Sequence, residues 1–344
     1  MKILVTGGLG FIGSNFIINA AIKGHEICNI DKVSYASHKP AFSQASVSGI
    51  TNKKFTLENY KKTQSVILSF DPDVIVNFAA ESHVDRSIDN PRDFINSNIL
   101  SSFHLLESFK KLMDKNNARK KTLIHISTDE VYGSLSLKEK TFTETSRYNP
   151  SSPYAASKAS SDLLFKAWEK TYNLPIIITN CSNNYGPFQN REKLVPNLIY
   201  RALNNMDLNI YGDGKNIRDW LYVDDHVNAI FKVINKGRIG ETYNISGDCE
   251  LTNLQILDKI IVEIANKTKI SEESIRSNIK FVEDRPGHDR RYGVNSTKIF
   301  EELKWRPKIN INNGLKKTVE WYLGFYNSRY IDKKSNIKRL GLIK

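Results

Sequence analysis

Gly7-Gly8-Leu9-Gly10-Phe11-Ile12-Gly13 separates a short apolar run, residues 2–6, from a second apolar segment that continues to about Ala21. The pattern is strand, glycine turn, helix. Glycines let a backbone turn tightly and approach a pyrophosphate, which sits on the helix N-terminus. A glycine triplet alone is a weak signal. Here a second strand, Glu26 to Ile30, ends in Asp31, eighteen residues after Gly13. An acid at that place can hydrogen-bond the 2′-hydroxyl of an adenosine ribose and repels a 2′-phosphate, so NAD is expected rather than NADP, with Lys32 working slightly the other way.

Working outward, residues 34–53 are polar and read as a loop, and Lys54 to Leu57 as a weak strand. A helix is expected over Lys61 to Ser69, a buried strand over Val74 to Phe78, and a long helix over Pro91 to Met113. The strand from Val74 ends in Ala79-Ala80-Glu81-Ser82-His83, where small residues leave room for a cofactor at the crevice of a parallel sheet. His83 stands alone, and a lone histidine is more often structural. Further strands are expected at Leu123 to Ile126 and Ile176 to Thr179. Strands alternating with helices define an α/β chain with a Rossmann-type, doubly wound parallel sheet.

After Thr179 the character changes. Tyr211-Gly212-Asp213-Gly214 reads as a tight turn, and Lys193 to Leu203 has a helical period. Arg218, in an apolar strand, and the basic loop Asp284 to Tyr292 are either solvated faces or phosphate clamps, since the guanidinium fork suits phosphate oxygens. The expected organisation is an NAD-binding domain over residues 1–180, a smaller C-terminal α/β substrate lobe over 181–328 with some segments packing back on the sheet, and a basic tail over 329–344.

The 344 residues carry a net charge of +13. The lysines are scattered and no nucleic-acid-binding module is recognisable, so the charge fits an anionic small molecule better than nucleic acid. Cys28, Cys181 and Cys249 form no Cys-x-x-Cys pair and the seven histidines are dispersed, which argues against a metal site. With no leader and no long apolar run, neither signal peptide nor membrane span is expected, and the cysteine usage fits the cytoplasm.

Two further stretches carry chemistry. Ser127-Thr128-Asp129-Glu130-Val131-Tyr132-Gly133 follows a buried strand, and Tyr154-Ala155-Ala156-Ser157-Lys158 opens a helix with Ser152 as N-cap and Pro153 at its first position. Tyr154 and Lys158 share a helix face, where an ammonium can ease ionisation of a phenol. Either stretch alone is common on protein surfaces. Together, downstream of a glycine turn, they offer an acid, a base and a phenol–ammonium pair.

In this order, T-G-G-L-G-F-I-G-S, D-K-V-S-Y-A, F-A-A-E-S-H-V-D-R-S-I, S-T-D-E-V-Y-G, Y-A-A-S-K-A, N-C-S-N-N-Y-G-P-F, E-K-L-V-P, Y-G-D-G-K-N-I-R-D-W-L-Y-V-D-D-H and D-R-P-G-H-D-R-R-Y resemble the dTDP-glucose 4,6-dehydratases of the extended short-chain dehydrogenase/reductase superfamily, from about residue 2 to 326. The Thr-Asp-Glu triplet is the specific element, because sugar epimerases of the superfamily lack the acidic pair. The resemblance implies NAD regenerated in each cycle and a nucleotide-diphosphate hexose substrate. Tyr154 would remove the 4-hydroxyl proton, Lys158 would hold the nicotinamide ribose and lower the Tyr154 pKa, and Thr128 would bind the 4-oxygen. Glu130 would take the C5 proton and Asp129 would protonate the departing C6 hydroxyl. Cofactor contacts would fall on Gly7, Gly10, Phe11, Ile12, Gly13, Asp31, Lys32, Ser34, Thr56, Leu57, Ala79, Ala80, Ser82, Tyr154, Lys158 and Asn184. Substrate contacts would fall on Ser82, Thr128, Asn183, Lys193, Leu194, Arg218, Asn253, Arg285, His288 and Tyr292. Three positions depart from the family pattern: Thr56-Leu57 stands where Asp-Ile is usual, Ser101-Ser102 where Gly-Thr is usual, and Asn295 where Asp is usual. A UDP-hexose dehydratase, an epimerase or decarboxylase, and a non-catalytic nucleotide-binding scaffold are the competing readings. A homodimer is expected, because Phe103, Leu106, Leu163, Leu164 and Trp168 put apolar side chains on more than one face of the two long helices.

Overall fold

A computed structural model describes residues 1–37, 49–115 and 121–327. The expected tail, 329–344, and part of the expected loop, 38–48, lie outside the described residues.

The chain opens with β1 (Lys2–Thr6), α1 (Phe11–Ile22) and β2 (Glu26–Asp31), and continues through β3 (Ile50–Lys54), α2 (Tyr60–Phe70) and β4 (Val74–Asn77). Two short helices follow, α3 (Val84–Asp89) and α4 (Pro91–Phe94). A π-helical turn over Ile95–Leu100 leads into α5 (Ser101–Lys115) and β5 (Thr122–Thr128). A 3-10 turn, Asp129–Tyr132, precedes α6 (Pro153–Tyr172), β6 (Ile176–Cys181) and β7 (Asn183–Tyr185). Next come α7 (Leu194–Leu203), β8 (Leu208–Tyr211), β9 (Ile217–Tyr222), α8 (Val223–Lys236), β10 (Thr242–Ile245) and β11 (Glu250–Thr252). The last described elements are α9 (Asn253–Lys267), α10 (Glu272–Arg276), β12 (Ile279–Val282), α11 (Thr297–Leu303) and α12 (Ile311–Asn327).

Seven parallel strands form one sheet in the order β10-β6-β5-β4-β1-β2-β3. β1, β4, β5 and β6 are buried almost throughout, so their sequences are continuous Ile/Leu/Val runs, as a sheet covered on both faces requires. Phe16, Ile17 and Ala20 of α1 pack on one face together with Val227, Ile230 and Val233 of α8. Leu105, Leu106 and Phe109 of α5 pack on the other with Ile67 and Phe165. The sequence order of strands reverses between β1 and β4, and ligands bind such sheets at the carboxyl ends beside that point. The β11-β9-β7 sheet and the β12-β8 pair lie later in the chain, and their apolar faces meet α7, α9 and α12 in a separate core containing Leu198, Trp220, Ile260 and Val319.

Two expectations about elements change. The third strand is Ile50–Lys54 and not Lys54 to Leu57. It is the sheet's edge, mostly exposed and polar, and its place is set by the ladder to β2, in which Ile27 pairs with Ile50 and Asp31 with Lys54. The apolar Leu57 just after it is buried against the helices instead. The helix expected over Pro91 to Met113 is interrupted by the π turn. Asn98 sits inside that turn, where its side chain bonds both the N–H (2.8 Å) and the carbonyl (3.0 Å) of Glu81, and Ser157 Oγ at 2.8 Å. A π turn re-aims one residue of a helix, and such turns are frequent at functional sites.

Candidate active site

A cleft of about 290 Å³ opens at the carboxyl ends of β1, β4 and β5. Its first wall is the glycine turn. Gly7 has φ +70, and a Cβ there would meet the backbone of Ala79; a Cβ on Gly13 would press into the Gly7 carbonyl. Glycine at both places allows β1, the turn and α1 to close up. Gly10, the N-cap of α1, offers no side chain to the helix's free N–H groups, which are left for an anion. Asp31 accepts from Leu9 N (3.0 Å), Val33 N (2.7 Å) and Ser37 Oγ (3.2 Å). A carboxylate has about four acceptor positions, so one remains for a ribose hydroxyl. Lys32 is paired with Glu81 at 2.5 Å and bonded to Ser97 Oγ at 3.0 Å, which draws its charge away from a 2′-phosphate. A cradle that any Cβ would fill, capless helix N–H groups and a ribose-type acid fit a dinucleotide.

The second wall carries the reactive groups. Thr128 caps the 3-10 turn by accepting from Glu130 N at 3.3 Å and donates to Asp129 Oδ1 at 3.2 Å. That tight turn brings two adjacent carboxylates to the cleft. Asp129 is buried, and its Oδ2 has no hydrogen-bond partner among the described residues. Burial, reinforced by the charges of Glu130 and Asp219, holds its carboxyl well above the usual range. Burial also raises Glu130, but Arg285, Lys193 and Arg218 pull it back. Neighbouring carboxyls are thus placed in different fields, which is how one site obtains both an acid and a base.

Tyr154 and Lys158 line the same cleft from the first turns of α6, whose N-cap Ser152 accepts from Ala155 N at 3.1 Å. Lys158 Nζ donates to the Ile126 carbonyl at 2.9 Å. The expected easing of Tyr154 ionisation by Lys158 is opposed here by burial. Burial, with the charge of Glu130, pushes the phenol well above its usual value, and the Thr128 hydroxyl only partly offsets this.

The cleft is lined by all the expected cofactor residues, namely Gly7, Gly10, Phe11, Ile12, Gly13, Asp31, Lys32, Ser34, Thr56, Leu57, Ala79, Ala80, Ser82, Tyr154, Lys158 and Asn184. Thr56 is turned aside, its hydroxyl bonded to Glu58 at 3.0 Å. Of the expected substrate residues, Ser82, Thr128, Asn183 and Lys193 also line it; Lys193 Nζ bonds the Ser82 carbonyl at 2.5 Å. Arg218 and Tyr292 stand behind Glu130, with the guanidinium 4.2 Å over the phenol ring. Arg285 is paired with Asp85 at 3.1 Å, and His288 with Asp284 at 2.6 Å. Leu194 opens α7 and packs on the C-terminal core, and Asn253 is buried at the start of α9; neither borders the cleft. His83 is an N-cap, buried, and burial together with Lys193 lowers its pKa to about 3.

Sequence reasoning missed Tyr35, Arg86 and Glu192. Arg86 stacks on the Tyr35 ring at 3.7 Å and pairs with Glu192 at 3.2 Å, tying the loop after β2 to the segment before α7 across the cleft mouth. All three lie within the quoted motifs, but nothing in their spacing joins them.

A glycine cradle, a ribose acid and a Tyr-x-x-x-Lys helix on a seven-stranded parallel sheet define a member of the extended short-chain dehydrogenase/reductase class. The family model described as GDP-mannose 4,6 dehydratase matches residues 4–318. The chain is 46% identical to the dTDP-glucose 4,6-dehydratase of Haemophilus influenzae over 94% of this chain and 98% of that one. Among solved structures, the dTDP-glucose 4,6-dehydratase of Streptomyces venezuelae with NAD and dTDP bound superposes with a TM-score of 0.87 at 36% identity, covering 94% of this chain and 97% of that one. The Bacillus anthracis enzyme in complex with NAD gives 0.82 at 42% identity, with the same coverages. The chain belongs to the dTDP-glucose 4,6-dehydratase family.

Among the described residues no helix is long and apolar enough to cross a membrane, and no group of three His, Cys, Asp or Glu side chains is placed to hold a metal ion.

Proposed function

We propose that the chain is a hydro-lyase that converts dTDP-glucose to dTDP-4-keto-6-deoxyglucose with NAD regenerated in each turnover. The observation that carries this reading is the Asp129–Glu130 pair, held by a capped turn in the same cleft as Tyr154, Lys158 and the glycine cradle. NAD, held by the glycine turn, Asp31 and Lys158, supplies the acceptor and donor of hydride at the sugar. The remaining work falls to the chain's own groups. Tyr154 takes the proton of the 4-hydroxyl as the phenolate, whose charge the Lys158 ammonium on the same helix face offsets against the upward push of burial, and Thr128 holds the 4-oxygen. Once C4 is a ketone, the C5 proton is acidic, and Glu130, whose ionised form nearby Arg285, Lys193 and Arg218 favour against burial, removes it. Asp129, whose carboxyl burial and the charges of Glu130 and Asp219 push toward the protonated form, gives its proton to the C6 hydroxyl, which leaves as water. Lys193, Arg218 and Arg285 provide positive charge for the diphosphate.

In this reading residues 1–180 hold NAD, 181–328 mainly hold the nucleotide sugar, and the enzyme works in the cytoplasm, where its free thiols Cys28, Cys181 and Cys249 stay reduced. It is a homodimer. Exposed Ile95, Leu100, Phe103, Leu163 and Tyr172 lie on the π turn, α5 and α6 and support a helix-to-helix interface. Leu106, expected on that face, is instead in the core.

The test is incubation with dTDP-, UDP-, GDP- and ADP-glucose followed by mass spectrometry. Loss of water from dTDP-glucose is expected. Preferential dehydration of UDP-glucose would reassign the nucleotide, and C4 inversion without water loss would replace the dehydratase by an epimerase.

A further inference from the structure

A buried polar chain crosses the sheet beneath the cleft, from the strand that feeds the glycine turn to the helix of Tyr154 and Lys158. Thr6 Oγ1 donates to Asn77 Oδ1 at 2.5 Å, and Asn77 Nδ2 donates to His125 Nδ1 at 3.0 Å. Burial and the Lys158 charge lower the His125 pKa to about 4, so the ring is neutral and its one proton sits on Nε2. That nitrogen faces Asp162 Oδ1 at 3.2 Å and Ser161 Oγ at 3.3 Å.

Asp162 is the charged end of the chain and is fully buried. Its Oδ2 accepts from Ser127 Oγ at 2.8 Å, Tyr148 Oη at 3.0 Å and Asn180 Nδ2 at 3.2 Å. Asn180 Nδ2 also donates to the Thr128 carbonyl at 3.1 Å. Burying a lone carboxylate is costly, and a fold that needed only packing here would place an apolar residue. Burial works to raise the Asp162 pKa, yet the His125 hydrogen bond, the Lys158 charge and the Ser127 hydroxyl bring it below its ordinary value, so it is ionised. Lys158, one helical turn earlier on the same face, is also buried. Burial lowers its pKa, and Asp162 is the foremost group opposing that.

We propose that Asp162 is the buried counter-ion of Lys158 and the clip that fixes the Ser127–Thr128 end of β5 against the helix bearing Tyr154. It is a positioning residue, since it reaches the reacting atoms only through Lys158, Ser127 and Asn180. The charged or titratable groups facing the pair are His125 from β5, Tyr132 from the 3-10 turn, Tyr148 from the loop before α6, Lys166 from α6 itself, and Cys181 from β6.

The electrostatic coupling of Asp162 to Lys158 does not depend on the reaction, whereas its catalytic consequence rests on the proposed dehydratase function. Two readouts separate them. The first is titration of Lys158 by NMR in lysine-labelled protein, assigned by difference from Lys158→Met. In wild type the amine is expected to be charged at neutral pH, and a neutral amine overturns the proposal without any further variant. In Asp162→Asn, which keeps the shape and most hydrogen bonds, Lys158 should titrate at lower pH; an unmoved titration overturns it. The second readout is the pH–rate profile with dTDP-glucose. Asp162→Asn should lower kcat about tenfold with little change in KM, and its alkaline limb should move toward neutrality. A loss of kcat with an unmoved profile would leave Asp162 a structural residue only and overturn the proposal. If wild type does not turn over dTDP-glucose, the functional reading fails while the NMR titration still decides the counter-ion.

Discussion

The Tyr292 phenol stands 3.5 Å from Glu130 Oε2 but only 2.5 Å from Asp289 Oδ2, so its single proton belongs to Asp289 and Glu130 is left free to face the cleft. What tunes Glu130 is therefore charge and not that hydrogen bond. Arg285 is the largest influence opposing the upward push of burial. A general base must be ionised, so activity falls as pH drops through its pKa. Arg285→Gln removes a cation, raises that pKa further and should move the acid limb of kcat to higher pH. At pH values below the limb, activity should fall about tenfold for each pH unit by which the limb moves. An acid limb unchanged from wild type would show that Arg285 does not tune Glu130.

Gly13→Ala tests the cradle. The new Cβ would press on the Gly7 carbonyl and the Gly8 Cα, both backbone atoms that cannot rotate away. The turn must open, spoiling the aim of the α1 N–H groups. NAD binding measured by calorimetry should weaken by at least tenfold, and the variant should be less stable by about 1–3 kcal/mol, the usual cost of overpacking. Unchanged NAD affinity would remove the turn from the cofactor site.

His226 is fully buried on α8, its Nδ1 2.9 Å from Asn184 Oδ1, and burial lowers its pKa to about 3. Unfolded, the same ring takes up a proton near pH 6.5. Between those values the unfolded state binds more protons, so the His226 contribution is fully present above about pH 6.5 and is lost as pH falls toward 3. The slope is up to about 1.4 kcal/mol per pH unit. Buried Asp129 and Asp219, with raised pKa values, act in the opposite direction. The measurement is thus a difference: urea unfolding at several pH values should show a flatter acid-side slope in His226→Gln than in wild type. Parallel slopes would mean that His226 carries the same charge folded and unfolded.

The glycine turn, Asp31 and the buried strands were legible because each writes a local pattern: glycines where a Cβ would clash, and continuous apolar runs where both sheet faces are covered. The edge strand Ile50–Lys54 was not. Its place is set by pairing with β2, and four of its five residues are exposed, so hydrophobic periodicity carries no trace of it. The π turn escaped for a related reason, since it depends on Asn98 reaching Glu81 and Ser157 and not on residue preferences within the turn. In the site, Asp129, Glu130, Tyr154 and Lys158 were readable as motif residues. The fields around them were not, because burial and charges from Arg218 and Arg285 come from segments far along the chain. For that reason neither the upward push of burial on Tyr154 nor the differing surroundings of the two carboxyls could be read from the motifs alone.

Leu163, on α6, is 56% exposed, and Phe103 on α5 packs edge-on against Trp168 beside it. If this face is the dimer interface, Leu163→Glu buries a charge in the assembled state and should yield monomers by light scattering at micromolar protein. Wild type that is itself monomeric, or a variant that remains dimeric, would move the interface elsewhere.

The two neighbouring carboxyls should fail in different ways. Asp129→Asn removes the proton donor but leaves Tyr154, Lys158 and the glycine cradle untouched. Oxidation at C4 should proceed and the reaction should stall before water leaves, so quenched mixtures should contain the 4-keto sugar with its C6 hydroxyl intact and almost no 6-deoxy product. Glu130→Gln removes the base. With nothing to take the C5 proton, exchange of that position with deuterated solvent should disappear, and elimination with it. Loss of a general acid or base costs about 10²–10⁴-fold, so both defects should be large and still measurable. The contrast has a physical basis in this structure. Asp129 is enclosed, with an unpartnered Oδ2 and acidic neighbours that push it up further; Glu130 is pushed up by burial too, but cations facing it work the other way. Exchange at C5 that survives in Glu130→Gln and vanishes in Asp129→Asn would reverse the two roles. Elimination at near wild-type rates in both variants would take the pair out of the chemistry altogether.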